Sequence, residues 1–288
     1  MTESPKKSHV LPQSTQSAQR ISSGLFSAVF AVSAVGDVSV TIAAMFGAVI
    51  GSFLNVCIYR LPRGTSIVWP SSACPGCGRG LSWFENIPIV SYAFLRGRCR
   101  TCRNPISARY PIVEALTAVM FGLGWWYYGP GPLLASRLVF GCALIVLFAV
   151  DLEHQLLPHA ITLPGIVLGF LFSFVAEPGW LASLIGIVAG GGSLLAIAYG
   201  YLWLRHKEGL GMGDFKMLAM IGAFIGWKLT LLTFMLASFL GTVVGLALIA
   251  SGRGSLASKL PFGTFLAIGA AFSATFGPAM LDWYLGLL

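Results

Sequence analysis

The stretch "LLASRLVFGCALIVLFAVDLEHQLLPH", residues 133–159, runs an apolar segment of bilayer length directly into a carboxylate, Asp151. About 20 apolar residues are what a helix needs to cross the hydrocarbon core of a membrane. Seven further apolar runs of similar character lie outside it, at about 38–59, 110–128, 161–176, 180–204, 215–227, 229–250 and 261–285. The expected fold is therefore an all-α polytopic membrane protein with about eight transmembrane helices. Composition agrees: 56% of the 288 residues are hydrophobic and 10% charged, where a soluble domain carries about a quarter charged residues. The mean hydropathy is +0.82.

Arg and Lys near span ends mark the cytoplasmic side of a membrane protein. The loop after the first run holds Arg60, Arg63, Arg79, Arg96, Arg98, Arg100, Arg103 and Arg109, and Arg205, Lys207, Lys216, Arg253 and Lys259 fall on the same side. The opposite loops between spans offer little besides Lys228. This places loop 61–109, Asp151 and Asp214 at the cytoplasmic face, and it explains the net charge of +8 as topology, with no nucleic-acid partner implied. Residues 1–36 read as a polar, disordered tail with a short apolar lead, Leu25 to Val35. The first transmembrane helix follows at 37–60, then the loop at 61–109 and a membrane domain at 110–288.

Inside the loop, Cys74, Cys77, Cys99 and Cys102 form two C-x2-C pairs separated by 21 residues. That is close to zinc-ribbon spacing, in which two tight turns each present two thiolates to one tetrahedral Zn²⁺. Two disulfides, or four free thiols, are the other readings of the same residues. Cys57 and Cys142 sit in apolar runs and read as packing residues.

Carboxylates are rare enough here to weigh singly, and one at a span edge is a functional candidate. Asp151 closes one apolar run. Asp214 opens another, after Gly211 and Gly213 in "EGLGMGDFKM" (208–217). Two facing carboxylates can share a proton, one activating water while the other donates to a peptide carbonyl. The two glycines permit unusual backbone angles and the close approach of a substrate backbone. A transporter or channel binding protons or cations at Asp151 and Asp214 is the alternative from another class.

Several separated motifs together resemble the type IV prepilin peptidase family over about residues 44–250. They are "GAVIGSFLNVCIYRLPRG" (47–64), the Cys loop with "ENIP", "LRGRCRTC" and "YPIVE", "DLEHQLLPH" (151–159), and "GMGD" (211–214). The resemblance implies cleavage of a short basic leader after a glycine of type IV prepilins or type II secretion pseudopilins. Cleavage would occur at the cytoplasmic face of a bacterial inner membrane. S-adenosylmethionine-dependent methylation of the new amino terminus would follow. It makes Asp151 and Asp214 the protease pair and links Gly97 and the Cys loop to methylation. His159 and Glu153 depart from the family's usual residues there.

Smaller features carry paired readings. Glu114 contacts a substrate amino terminus or pairs with Arg109. Lys216 pairs with Asp214 or simply marks the inside, and "GGG" (190–192) permits close helix packing. If a helix begins at Asp214, the positive end of its macrodipole favours the ionised form there, and the end of the preceding span favours the acid at Asp151. On that basis Asp214 is expected to activate water and Asp151 to polarise the carbonyl.

Overall fold

The computed structural model describes residues 38–205, 211, 213–252 and 260–287, without the side chains of 197, 198, 201, 202, 204 and 205. The expected tail 1–36, with its apolar lead, lies outside the described residues, as do Lys207, Arg253 and Lys259. Among the described residues the fold is helical, with no strand beyond two isolated bridges, Ala73 to Gly80 and Arg98 to Pro105.

Helix α1 (38–60) ends in a 3-10 turn, Leu61–Arg63. The loop that follows holds a second 3-10 turn, Trp83–Asn86, and a short helix, α2 (Val90–Phe94). The helices α3 (Arg109–Tyr128), α4 (Pro132–His154), α5 (His159–Phe172), α6 (Trp180–Arg205), α7 (Asp214–Ala250) and α8 (Phe262–Leu285) complete the chain. Proline opens α4 at its first turn, where its missing N–H costs nothing. The same helix stops where Gln155 turns left-handed, at φ 51°, and donates its N–H to the Asp151 carbonyl at 2.8 Å.

Each of the eight apolar runs is carried by a helix, although α5 ends at Phe172 and 173–176 turns. Among the described residues, four helices, Val38–Arg63, α4, α7 and α8, are long and apolar enough to cross a membrane. Helix α5, at 14 residues, covers about 21 Å, short of a hydrocarbon core of about 30 Å.

Although α7 runs for 37 residues, it is not straight, because Gly226 takes φ 75° and ψ 169° in its middle. Leu218 and Thr230 would stand about 18 Å apart on a continuous helix. Yet a Cβ built on Gly190 of α6 would lie 2.7 Å from the Leu218 oxygen and 3.1 Å from the Thr230 Cγ2. The chain therefore doubles back at Gly226, which explains why the sequence reads as two runs, 215–227 and 229–250. Only glycine suits the position: its φ is positive, and an added Cβ would sit 2.9 Å from the Pro178 ring.

The first limb of α7 lies against α6 along a seam without side chains. A Cβ on Gly222 would collide with the Gly186 carbonyl and come within 2.9 Å of the Ile187 nitrogen, while one on Gly191 would be 3.1 Å from the Ala219 Cβ. Two of the three glycines at 190–192 thus serve helix packing, as expected, and a Cβ on the third, Gly192, would meet nothing within 4 Å. Backbone cannot yield as a flexible side chain can. Gly222→Ala is accordingly expected to lower the thermal midpoint in detergent by several degrees, matching an overpacking cost of about 1–3 kcal/mol. Gly192→Ala should leave it level or higher.

The core forms where α4, α7 and α8 meet, around Leu147, Met217, Met220, Ile221, Leu266 and the stacked pair Phe140 and Phe224, whose ring centroids are 4.9 Å apart. A second cluster, with Leu54, Cys57, Ile58, Val113, Val146 and Val150, joins α1 and α3 to α4. Cys57 is buried within it and Cys142 packs at its edge, so both thiols are packing groups. Outward positions such as Met45, Val119, Trp126, Leu171, Phe239 and Phe276 remain more than half exposed. That apolar exterior is what lipid, and not water, solvates.

Candidate active site

Asp151 lies in the last turn of α4 and Asp214 is the first residue of α7. Both are buried, at 4% and 9% exposure, at the same end of the bundle. Leu157, in the short link between α4 and α5, connects their surroundings. A Cβ on Gly213 would fall 2.8 Å from the Leu157 Cβ, and one on Gly263 would fall 2.9 Å from the Leu157 Cδ2 and 3.0 Å from the Asp151 Oδ2. The Asp214 carboxylate feels the charge of Asp151 across this space. Gly211 lies on the other flank. Its carbonyl accepts the Asp214 N–H at 3.1 Å, and a Cβ there would come 3.2 Å from the Asp214 Oδ2. The structure thus brings together all four residues, Asp151, Asp214, Gly211 and Gly213, that the sequence nominates from two distant segments.

Gly263 and Thr264 also belong to the site, and the sequence reading passed over them. The Asp151 Oδ2 accepts the Thr264 N–H at 2.6 Å and its hydroxyl at 3.1 Å. The available signal was "LPFGTF" (260–265), where a Pro-initiated helix puts a glycine and a hydroxyl in its first turn. Gly263→Ala is expected to push the Asp151 carboxylate aside, since the new methyl group has backbone behind it and Leu157 beside it. A misplacement of about 1 Å can cost roughly 100-fold in rate. The catalytic rate should therefore fall by about 10- to 100-fold while the protein accumulates in the membrane normally, which immunoblotting beside the rate assay would check.

Around the mouth, the pairings differ from those expected. The Lys216 Nζ lies 3.4 Å from the His159 Nε2, joining the first turns of α7 and α5. Arg109 does not reach for Glu114; it grips both oxygens of Glu153, at 2.6 and 2.5 Å. Buried Glu114 instead accepts the Ile89 N–H at 2.7 Å. Local helix spacing pointed to the wrong partner because one contact bridges α3 to α4 and the other comes from a loop amide.

In that loop, Cys74 to Arg79 and Cys99 to Asn104 form twin turns. In each, the first Cys N–H donates to the carbonyl five residues on, at 2.9 Å, and its own carbonyl accepts from Gly78 or Arg103 at 2.9 and 3.0 Å. The four Sγ atoms lie within 4.8 Å of one another. Cys74 and Cys102 are 3.7 Å apart, which fits the roughly 3.8 Å edge of a tetrahedron with Zn–S bonds of about 2.3 Å. The backbone N–H groups of Cys102 and Thr101 pull the Cys99 thiol down to about 6, whereas burial and the neighbouring Cys sulfurs push Cys102 up to about 11, so the cluster readily presents one thiolate. Arg79 donates to both oxygens of Glu85, at 2.6 and 2.9 Å, and the Ser82 N–H adds a third bond at 2.9 Å. The Ser82 amide first, and then Arg79, hold the Glu85 carboxyl below the usual range. Gly97 has a positive φ of 65°, its N–H bonds the Tyr92 carbonyl at 2.9 Å, and its carbonyl takes the Ile106 N–H at 2.7 Å. A Cβ there would strike the Tyr92 hydroxyl at 2.9 Å and its ring at 3.0 Å, so glycine closes the turn that carries Cys99.

Residues 45–128 match the bacterial peptidase A24 N-terminal domain, and residues 138–246 match the type IV leader peptidase family. A prepilin leader peptidase/N-methyltransferase of Pseudomonas putida is 35% identical over 263 residues, covering 83% of this chain and 91% of the relative. The chain belongs to the type IV leader peptidase family. This leader peptidase is also 35% identical over 268 residues to a protein of the same description from Aeromonas hydrophila, covering 84% and 92% of the two chains. To one from Myxococcus xanthus it is 41% identical over 216 residues, covering 73% and 63%. No solved structure matches it. The protein is a peptidase with methyltransferase activity, and this parentage favours hydrolysis over the transporter or channel alternative.

Proposed function

We propose that this leader peptidase removes the basic leader from type IV prepilins or type II secretion pseudopilins and methylates the amino terminus it exposes. The observation that carries the reading is the burial of Asp151 and Asp214 together at one end of the bundle, with glycines beside each. A peptide backbone can approach there, and a carboxylate pair can divide the work of proton acceptor and proton donor. The enzyme sits in the bacterial inner membrane as a multi-pass protein of about eight spans, with the site facing the cytoplasm. The Arg109 to Glu153 contact, which holds the Arg-rich loop at the site end of the helices, supports that orientation by the positive-inside rule. Residues 61–109 form the methylation-linked unit and 110–288 the peptidase unit.

Cys74, Cys77, Cys99 and Cys102 would hold a structural Zn²⁺, which fixes the two turns relative to one another. S-adenosylmethionine supplies the methyl group that the new amine accepts. The test is co-expression with a candidate prepilin. The wild type should convert precursor to mature, methylated pilin, and Asp214→Ala should leave the precursor intact. Uncleaved precursor with folded wild-type enzyme present in the membrane would sink the proposal.

A further inference from the structure

The two carboxylates of the proposed pair have different surroundings. Asp214 has the Gly211 backbone beside it, and no side-chain donor is paired with it among the described residues. Asp151 is held by a helix other than its own. Its Oδ2 takes two hydrogen bonds from Thr264, the third residue of α8, at 2.6 Å from the N–H and 3.1 Å from the hydroxyl. Thr264 is 5% exposed, and its amide makes only a longer second contact, 3.2 Å to the Pro261 carbonyl. Unpaired first-turn N–H groups carry the positive end of a helix dipole. Hydrogen bonds to a charged acceptor are about twice as strong as neutral ones. The helix-end comparison that makes Asp151 the acid considers α4 alone, whereas α8 brings its own positive end to the same carboxylate.

We propose, resting on the peptidase reading above, that Thr264 is a positioning residue that presents Asp151 as the proton-accepting carboxylate, with Oδ1 toward the attacking water and Asp214 holding the shared proton. Water gives one proton to Oδ1 of Asp151 as its oxygen bonds to the scissile carbonyl carbon, and Asp214 gives its proton to the carbonyl oxygen. The C–N bond then breaks: the proton on Asp151 passes to the leaving amine nitrogen, and a hydroxyl of the tetrahedral intermediate returns its proton to Asp214. Both residues finish in the state in which they began.

Thr264→Ser and Thr264→Ala differ only in the hydroxyl, so they separate hydrogen bonding from packing. With purified enzyme and a prepilin substrate, the Ser variant should keep kcat within about threefold of the wild type. The Ala variant should lose a further tenfold or more, as expected for a bond to a charged group, with KM within twofold. Thr264→Val supplies the converse. It keeps the methyl packing and the backbone N–H and lacks only the hydroxyl donor, so it should be as slow as the Ala variant. Equal kcat for Ser and Ala, or a Val variant faster than Ser, would overturn the positioning role while wild-type cleavage keeps the peptidase reading intact. A wild type that leaves prepilin uncut would instead fail the peptidase reading itself. Melting curves in detergent verify that each variant compared is folded, and the Ser and Ala pair remains decisive if the Val variant does not accumulate.

Discussion

Asp151→Asn and Asp214→Asn are each expected to abolish leader cleavage while the protein remains folded in the membrane. Amide and carboxylate have nearly the same shape, so the packing of Leu157, Gly213 and Gly263 around them survives. What disappears is the ability to take or give a proton. General acid–base groups typically contribute 10²–10⁴-fold each, and the loss of either should bring cleavage below detection in cells. Asp→Glu at either position should fail as well. The added methylene carries the carboxyl group out of the place that the shorter side chain gives it. Displacing the carboxyl group by about 1 Å costs roughly 100-fold. Co-expression with prepilin and separation of precursor from mature pilin by gel gives the readout. Normal processing by either Asn variant would remove that residue from the pair.

The Cys74→Ser, Cys77→Ser double variant should release zinc and lose methylation far more completely than cleavage. Two of four thiolates go, and with them the tetrahedral site. The remaining pair, Cys99 and Cys102, keeps its own turn but not its relation to the first. Asp151, Asp214 and Thr264 lie on α4, α7 and α8 and meet the loop at its ends, through the Arg109 to Glu153 bridge and the packing of Leu61 and Ile67, so peptide hydrolysis should fall severalfold at most. Metal analysis of the purified protein, alongside mass spectrometry of the mature amino terminus, reads both effects. Wild-type protein free of zinc yet fully able to methylate would refute the link between metal and methyl transfer.

What the sequence made legible was whatever stood out against an apolar background. Asp151 and Asp214 could be found because carboxylates at the edges of apolar runs are costly and few. The Cys pairs could be found because their spacing encodes their geometry. Gly226 was visible only as a gap between two apolar runs, and the reversal there needed the contacts of Gly190 with both limbs. Thr264 was hidden for a different reason. A threonine in a helix is ordinary, and its partner lies 113 residues earlier in the chain. No local pattern announces such a bond. The roles assigned from helix ends counted each aspartate's own helix and not the start of α8, which also meets Asp151 and on which the reversed roles proposed above rest. Glu114 shows the limit once more: helical spacing suggested Arg109, and a loop amide took the place.

The reversal at Gly226 also bears on when the enzyme can first act. By turning the chain back in the middle of α7, it returns the start of α8 to the end of the bundle where Asp151 waits. A growing chain therefore displays Asp151 and Asp214 well before residues 263 and 264 leave the ribosome. Until the final helix is inserted and its first turn reaches Asp151, that carboxylate lacks two of its partners. Partial chains and C-terminally truncated products are thus expected to be silent in the membrane, with no inhibitor needed to keep half-made protease from cutting its neighbours.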